Sequence, residues 1–172
     1  MFLNYIKSFI AKKIIINGLR DVMVTGSTEI IEKVGIIIDE SYFKDRESLV
    51  NELIKNDVLE SNIQILVYKD RIKRKEVFDY SVFSIKNLTW IGTFNKREVN
   101  DFIATKFDLL INYYDVEKVP LLLASHQSKA NFKVGFSSID RRLNHFTITT
   151  NAENHIVFVE ELFKYLIILN KF

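Results

Sequence analysis

From Lys33 onward, short apolar runs alternate along the chain with amphipathic segments. Apolar residues dominate four of the runs, without a strict alternation of apolar and polar positions: "VGIIID" (34–39), "IQILVYK" (63–69), "FDLLINY" (107–113) and "NFKVGF" (131–136). Strands of a parallel sheet are buried on both faces, so they appear in a sequence as runs of this kind. The alternation therefore predicts an α/β domain in which helices connect and cover the strands.

Two more strands and the topology follow from the same pattern. Residues 83–85 are predicted as a short third strand and 146–150 as an edge strand with one exposed face, followed by a helix at 158–169. Right-handed crossovers favour the strand order 3-2-1-4-5 with the last strand at the edge. The predicted fold class is a doubly wound, mostly parallel, five- to six-stranded Rossmann-like sheet with an N-terminal amphipathic helix.

Cap residues and proline locate two helices. Asn95 is predicted as the N-cap of a helix at 96–105. Pro120 lacks an amide hydrogen and is tolerated only in a first helical turn, so the next helix is expected to begin near Glu117 and to run to about Ser128.

The N-terminus is expected to form a separate element. Apolar residues recur at helical spacing, with lysines mostly off that stripe: Phe2, Leu3, Ile6, Phe9 and Ile10 against Lys7, Lys12 and Lys13. We predict a basic helix and linker at 1–25 and a single Rossmann-like domain at 26–172. The apolar face of a detached helix must be buried against the domain, a second copy or a partner.

Composition excludes several classes of function. The 24 basic and 22 acidic residues leave a net charge of +2, too small to direct the whole molecule to nucleic acid or membrane. The absence of cysteine excludes disulfides, thiolate metal sites and cysteine nucleophiles. Because no apolar run is long enough to span a membrane and no signal peptide is recognisable, we expect a cytoplasmic protein without a transmembrane segment.

In open α/β sheets, ligands bind beyond the carboxyl ends of the strands, where the strand order reverses. In the predicted topology this crevice lies between the first and fourth strands. The candidate ligand-binding residues are Asp39, Glu40, Ser41, Asn112, Tyr114, Asp115, Ser137, Ser138 and Arg141. A phosphate would bind an arginine fork and serine hydroxyls, with Tyr114 stacked on a base or sugar. The alternative is that Asp39, Ser41 and Asp115 cap helices or turns and that Arg141 and Arg142 are solvated.

Familiar catalytic and cofactor motifs are missing. The five glycines form neither GxGxxG nor a Walker loop, and no GxSxG nucleophile elbow is present. The three histidines are far apart and lack metal-ligand spacing. We therefore predict no cofactor and no metal, and Asp39 with Asp115 as an acid–base pair is disfavoured.

A second candidate surface is basic. "KDRIKRK" (69–75) contains five cations, and the N-terminal helix contributes three more, so the candidate contacts to a partner or nucleic acid are Lys7, Lys12, Lys13, Lys69, Arg71, Lys73, Arg74 and Lys75. The alternative is a solvated charged connection between two elements.

Residues 106–136, "KFDLLINYYDVEKVPLLLASHQSKANFKVGF", resemble part of the N-terminal Rossmann-like domain of lipopolysaccharide heptosyltransferases. The matching positions are Phe107, Asp108, Leu109, Ile111, Leu122, Leu123, Ala124, Lys129, Ala130, Val134, Gly135 and Phe136. The resemblance implies the architecture, since those enzymes place the sugar donor largely on a second domain and this chain ends before one could begin. The whole chain is also similar to a family of short bacterial proteins without an established activity.

The expected function is a non-catalytic domain that binds a protein partner or small ligand, with the N-terminal helix used for attachment or self-association. One alternative is a glycosyltransferase-like or nucleotide-dependent enzyme at the strand-end crevice. The other is an RNA- or ribosome-associated protein that uses the N-terminal helix and the basic segment.

Overall fold

The computed structural model of the chain describes residues 2–18, 30–73 and 75–172, with side chains from Ile6 onward. The strands are β1 (Val34–Asp39), β2 (Ile63–Tyr68), β3 (Ser81–Phe83), β4 (Leu109–Tyr113), β5 (Phe132–Phe136) and β6 (Phe146–Ile148). The α-helices are α1 (Phe2–Gly18), α2 (Arg46–Lys55), α3 (Arg97–Ala104), α4 (Val119–Gln127) and α5 (His155–Ile168).

The six strands form one sheet in the order β3-β2-β1-β4-β5-β6, and every adjacent pair is parallel. Ile37 in the centre of β1 lies opposite Leu66 of β2 and Asn112 of β4. The predicted doubly wound topology, including the edge position of the last strand, is confirmed. The strand order reverses between β1 and β4, which defines the crevice.

One face of the sheet is apolar and is covered by α2 and α5. Tyr113 points to this face, and its ring centroid lies 4.8 Å from that of Phe43 and 5.1 Å from those of Phe136 and Phe158. The Tyr113 hydroxyl donates a hydrogen bond of 2.7 Å to the Ala152 carbonyl, so its polar atom is satisfied inside the core. Tyr113 is therefore a packing residue.

The opposite face, covered by α3 and α4, contains polar side chains. Strand alternation and register place Asn112, Tyr114 and Lys133 on this face together with Gly35. A Cβ at Gly35 would lie 2.7 Å from the Phe107 ring, so a larger residue would force this ring to move. The α1 helix packs on the outside of α4 through Ala11 and Ile15.

The predicted N-cap of α3 is wrong by one residue. Lys96 is the N-cap of α3, without a side-chain hydrogen bond. Asn95 instead pairs with Asn87, donating its backbone N–H at 2.9 Å and accepting from the Asn87 side chain at 3.3 Å. The cap motif in the sequence is used here to close a hairpin.

Two other boundaries shift slightly. β3 ends at Phe83 rather than continuing to Ile85, because Ser84 caps a 3-10 turn at Ile85–Asn87. Pro120 lies in the first turn of α4 as predicted, but this helix begins at Val119 instead of near Glu117.

The predicted linker falls largely at 19–29, outside the described residues, and the division at residue 25 stays a prediction. Among the helices that the structure describes, none is long and apolar enough to cross a membrane.

Candidate functional site

Lys118 lies across the crevice between β1 and β4. Lys118 immediately precedes α4 in the sequence. Its ammonium group lies 2.7 Å from Asp39 Oδ2 and 2.9 Å from Asp70 Oδ2. The Asp39 residue is only 2% exposed. Its Oδ1 accepts a hydrogen bond from the Ser41 amide at 3.0 Å, as in a turn cap. The position where a ligand was expected is thus bridged by the protein's own ion pairs.

Glu40 lies beside this bridge and is fully engaged. Its carboxylate lies 3.0 Å from Arg46 Nη1 and 3.1 Å from Lys69 Nζ, and it accepts a hydrogen bond of 3.1 Å from the Tyr80 hydroxyl. The Arg46 guanidinium also covers the Tyr80 ring at 3.9 Å from its centroid. These contacts hold Glu40 in place on three sides.

We call the six charged residues at this rim the crevice cluster: Asp39, Glu40, Arg46, Lys69, Asp70 and Lys118. Each of its three cations is paired with a carboxylate of the cluster. Burial acts to raise the pKa of Asp70, but the hydrogen bond and charge of Lys118 outweigh burial and lower this pKa. Burial acts to lower the pKa of Lys69, and its contacts with Glu40 and Tyr80 raise it instead. The charged forms of Asp70 and Lys69 are therefore stabilised by their neighbours in the cluster.

The rim beyond β4 and β5 is built from turn contacts. Asp115 accepts a hydrogen bond from the Ala152 amide at 3.0 Å, and the Ser138 hydroxyl donates to the Asp115 carbonyl at 2.8 Å. Ser137 and Arg141 are exposed. The neighbouring Arg142 is exposed as well, but its guanidinium pairs with Asp140 at 2.6 Å.

Asn112 and Tyr114 lie inside the core, on the α4 side of the sheet. The Tyr114 hydroxyl is 2.6 Å from Ser125 Oγ, which donates to Asn112 Oδ1 at 2.7 Å. Asn112 Nδ2 donates to Asn144 Oδ1 at 2.7 Å. Tyr114 is 1% exposed, so its ring has no free face for the stacking role expected from the sequence. Burial also raises the pKa of the Tyr114 hydroxyl, which stays protonated.

We expect Asn112→Leu to lower the free energy of unfolding by about 1.5 kcal/mol, because the Asn144 amide oxygen loses its donor and the Ser125 hydroxyl loses the Asn112 oxygen as its acceptor. Urea denaturation monitored by circular dichroism measures this change. Asn51→Leu, on the exposed side of α2, is the matched control and should stay within about 0.5 kcal/mol. Equal effects of the two variants would show that the buried network is not structural.

A groove that the sequence did not predict lies between β2, β3 and α3. It has a volume of about 960 Å³, and its walls include Gln64, Tyr80 and Asp101. Lys96 donates a hydrogen bond of 2.6 Å from its ammonium group to the Val82 carbonyl on edge strand β3. The groove arises because β3 is short and leaves the first half of β2 without a neighbouring strand. A strand of three residues is too short to be recognised from the periodicity of the sequence, so the groove could not be predicted.

The described residues of the basic segment differ in their surroundings. Lys69 belongs to the crevice cluster, whereas Arg71, Lys73 and Lys75 are exposed. Arg74 lies outside the described residues.

Among the residues that the structure does describe, no group of three or more histidines and carboxylates could hold a metal ion.

The α1 helix has two faces with different surroundings. Ala11 and Ile15 are 0% and 5% exposed and pack toward α4, whereas Phe9 and Ile16 are 63% and 50% exposed. Lys12 and Lys13 are also exposed. The remaining lysine of the helix, Lys7, is partly buried and lies 5.6 Å over the Trp90 ring.

Trp90 belongs to a hairpin at 88–94 that lies alongside α1. Leu88 and Phe94 form an antiparallel bridge, and the tip between them exposes Trp90 and Ile91 by 44% and 75%. We call the exposed side chains of both elements the α1 surface: Phe9, Lys12, Lys13, Ile16, Trp90 and Ile91.

The parallel, doubly wound sheet with helices on both faces defines an α/β protein of the Rossmann-like class. Residues 7–169 match the model of a family of unknown function, DUF6913, and the chain belongs to this family. No curated protein and no solved structure matches the chain.

Proposed function

We propose that this chain is a non-catalytic binding domain that attaches to a larger partner through the α1 surface. One observation carries the proposal: α1 packs on α4 through one face and exposes Phe9 and Ile16 on the opposite face. Large apolar side chains grouped on a protein surface are typical of interaction sites. The exposed lysines between them favour a partner with negative charge.

The crevice cluster supports a non-catalytic role. A general base or a phosphate-binding cation needs a free lone pair or a free charge in the substrate pocket. The charged groups of the cluster are instead engaged with one another, and Lys118 spans the crevice. The glycosyltransferase-like alternative has no comparable support, because no curated protein or solved structure matches the chain.

Photo-crosslinking in the native host tests the attachment. A benzoylphenylalanine replaces Phe9 or Ile16 in separate full-length variants, and Leu59, another apolar residue that is 65% exposed, serves as the control position. We expect adducts at positions 9 and 16 and none at position 59. The absence of any adduct at both helix positions, whether with protein, RNA, lipid or a second copy, would refute the proposal.

The two faces of α1 should also differ in their effect on stability. We expect Phe9→Ser combined with Ile16→Ser to change the free energy of unfolding by less than about 0.5 kcal/mol, since both side chains are largely in solvent. Ile15→Ala should cost about 2 kcal/mol, because this side chain is buried against α4. Chemical denaturation measures both values. A similar loss in the two variants would mean that the outer face is packed within the folded chain.

A further inference from the structure

The outer face of α1 alternates apolar and basic side chains. Successive residues of an α-helix are rotated by about 100°, so Phe9 and Ile16 fall in one stripe, with Lys12 and Lys13 on its two flanks. The helix contains three lysines and no acidic residue. Apolar residues occupy both the packed and the open face. The open face thus combines positive charge with exposed apolar side chains.

The 88–94 hairpin packs beside α1, on the side of the helix that Lys7 and Ile14 form. The Thr89 amide donates to the Thr93 carbonyl at 2.8 Å, and the Gln127 side chain donates to the Gly92 carbonyl at 2.8 Å. Gly92 has a φ of +73°, and a side chain there would collide with Ile14 of α1. The hairpin tip is therefore held against both α4 and α1 while it presents Trp90 and Ile91 to solvent.

We infer that the partner of the α1 surface is an anionic lipid bilayer, on which α1 lies parallel to the membrane plane; this inference rests on the proposed function. Helices that bind at bilayer interfaces combine Lys with Phe, Trp and aliphatic side chains and do not span the membrane. Tryptophan is enriched at the level of the lipid headgroups, where its ring contacts both apolar and polar groups. Lysines near the surface attract anionic lipids.

A folded protein partner fits this surface less well. The centre of a protein interface is depleted of lysine and has an apolar core inside a polar rim. Here the apolar stripe is one side chain wide, so a protein that covered Phe9 and Ile16 would also desolvate Lys12 and Lys13 on its two sides. RNA also fits less well, because exposed aliphatic side chains such as Ile16 and Ile91 contribute nothing to phosphate contacts.

Vesicle cosedimentation of the full chain tests this inference. The probes are phosphatidylcholine vesicles with 30% phosphatidylglycerol, on the order of the anionic content of natural membranes, and vesicles of phosphatidylcholine alone. We expect binding to the anionic vesicles to be at least about 25-fold tighter, at about fivefold for each of Lys12 and Lys13, and to weaken with salt. The chain has a single tryptophan, Trp90, so its fluorescence should shift to the blue when the anionic vesicles bind.

Variants separate the contributions of charge and insertion. Lys12→Gln with Lys13→Gln should weaken binding about 25-fold, at about fivefold for each lysine. Phe9→Ser with Ile16→Ser should weaken it at least about tenfold and reduce the fluorescence shift. Lys44→Gln with Lys106→Gln makes the same change of net charge at exposed positions elsewhere and should leave binding unchanged. If this control weakened vesicle binding by the same factor, binding would depend on net charge alone, and the inference would be overturned.

The outcomes distinguish the inference from the proposed function. If vesicles neither sediment the protein nor shift the Trp90 emission, while positions 9 and 16 crosslink to a protein, the lipid inference is overturned and attachment through α1 stands. If the protein binds polyuridylic acid more tightly than anionic vesicles, the partner is RNA, and the lipid inference is likewise overturned. Absence of both vesicle binding and crosslinks overturns both.

Discussion

Lys118→Met is expected to lower the free energy of unfolding by about 3 kcal/mol, the lower end of the range for breaking a buried ion pair. The Asp39 side chain is 3% exposed, and its Oδ2 has the Lys118 ammonium at 2.7 Å as its charged partner. Removal of the lysine leaves a buried carboxylate without a cation, and Asp70 loses its partner as well. Methionine has a similar length, so the loss reports mainly on charge. Urea denaturation at neutral pH measures the change.

A control variant and a double variant test whether the loss of stability comes from the buried charge of Asp39. Lys164→Met removes the partner of Glu161 in an exposed pair on α5 and should cost less than about 0.5 kcal/mol. Asp39→Asn combined with Lys118→Met should recover a large part of the lost stability, because no buried carboxylate is left without a cation and the remaining Asp70 side chain is 52% exposed. If Lys118→Met costs no more than the Lys164 control, the crevice cluster does not stabilise the fold, and a ligand-binding role for Lys118 becomes the better interpretation.

The second large effect depends on pH. Burial lowers the pKa of Lys133 from its ordinary value of 10.5 to about 8. Between these two values the unfolded chain binds more protons than the folded one, so stability rises with pH at up to about 1.4 kcal/mol per unit. We therefore expect the free energy of unfolding of the native chain to rise by about 2 kcal/mol more than that of Lys133→Met between pH 7 and 9.5.

The neighbours of Lys133 do not titrate in this range. Burial lowers the pKa of His126 and of His145, as does the charge of Lys133, so both imidazoles are neutral above pH 7. The Lys133 ammonium donates to the Ser125 carbonyl at 2.7 Å, a contact that the methionine variant loses at every pH. Lys129→Met, at an exposed position, should show the same pH dependence as the native chain. Parallel curves for native and Lys133→Met chains would rule out a buried, low-pKa lysine.

The strands and their order were predictable because doubly buried strands need apolar residues at successive positions. β1 and β4 show this pattern over their whole length, and the preference for right-handed crossovers then leaves few topologies. β3 was misplaced by two residues because three residues are too few to show a period. The N-cap of α3 was misassigned because Asn95 has the residue type of a cap but bonds to Asn87.

The candidate ligand residues were predictable only as positions near strand ends. Alternation along β4 places Asn112 and Tyr114 on the α4 face, where Ser125 and Asn144 satisfy their polar atoms. Which polar residue after a strand faces solvent depends on the helix that packs above it, and this contact joins residues distant in sequence. Lys118 was missed for the same reason, because its carboxylate partners lie 79 and 48 positions away in the chain.

The amino-acid sequence by itself determined the layers of this protein, since burial on two faces or on one imposes a pattern on neighbouring residues. It also determined that α1 would be basic and apolar. Only the tertiary structure decided which face of α1 packs on α4 and which stays open, and that the crevice is bridged by Lys118. Both outcomes depend on contacts between distant segments, whose geometry no local spacing of residues encodes.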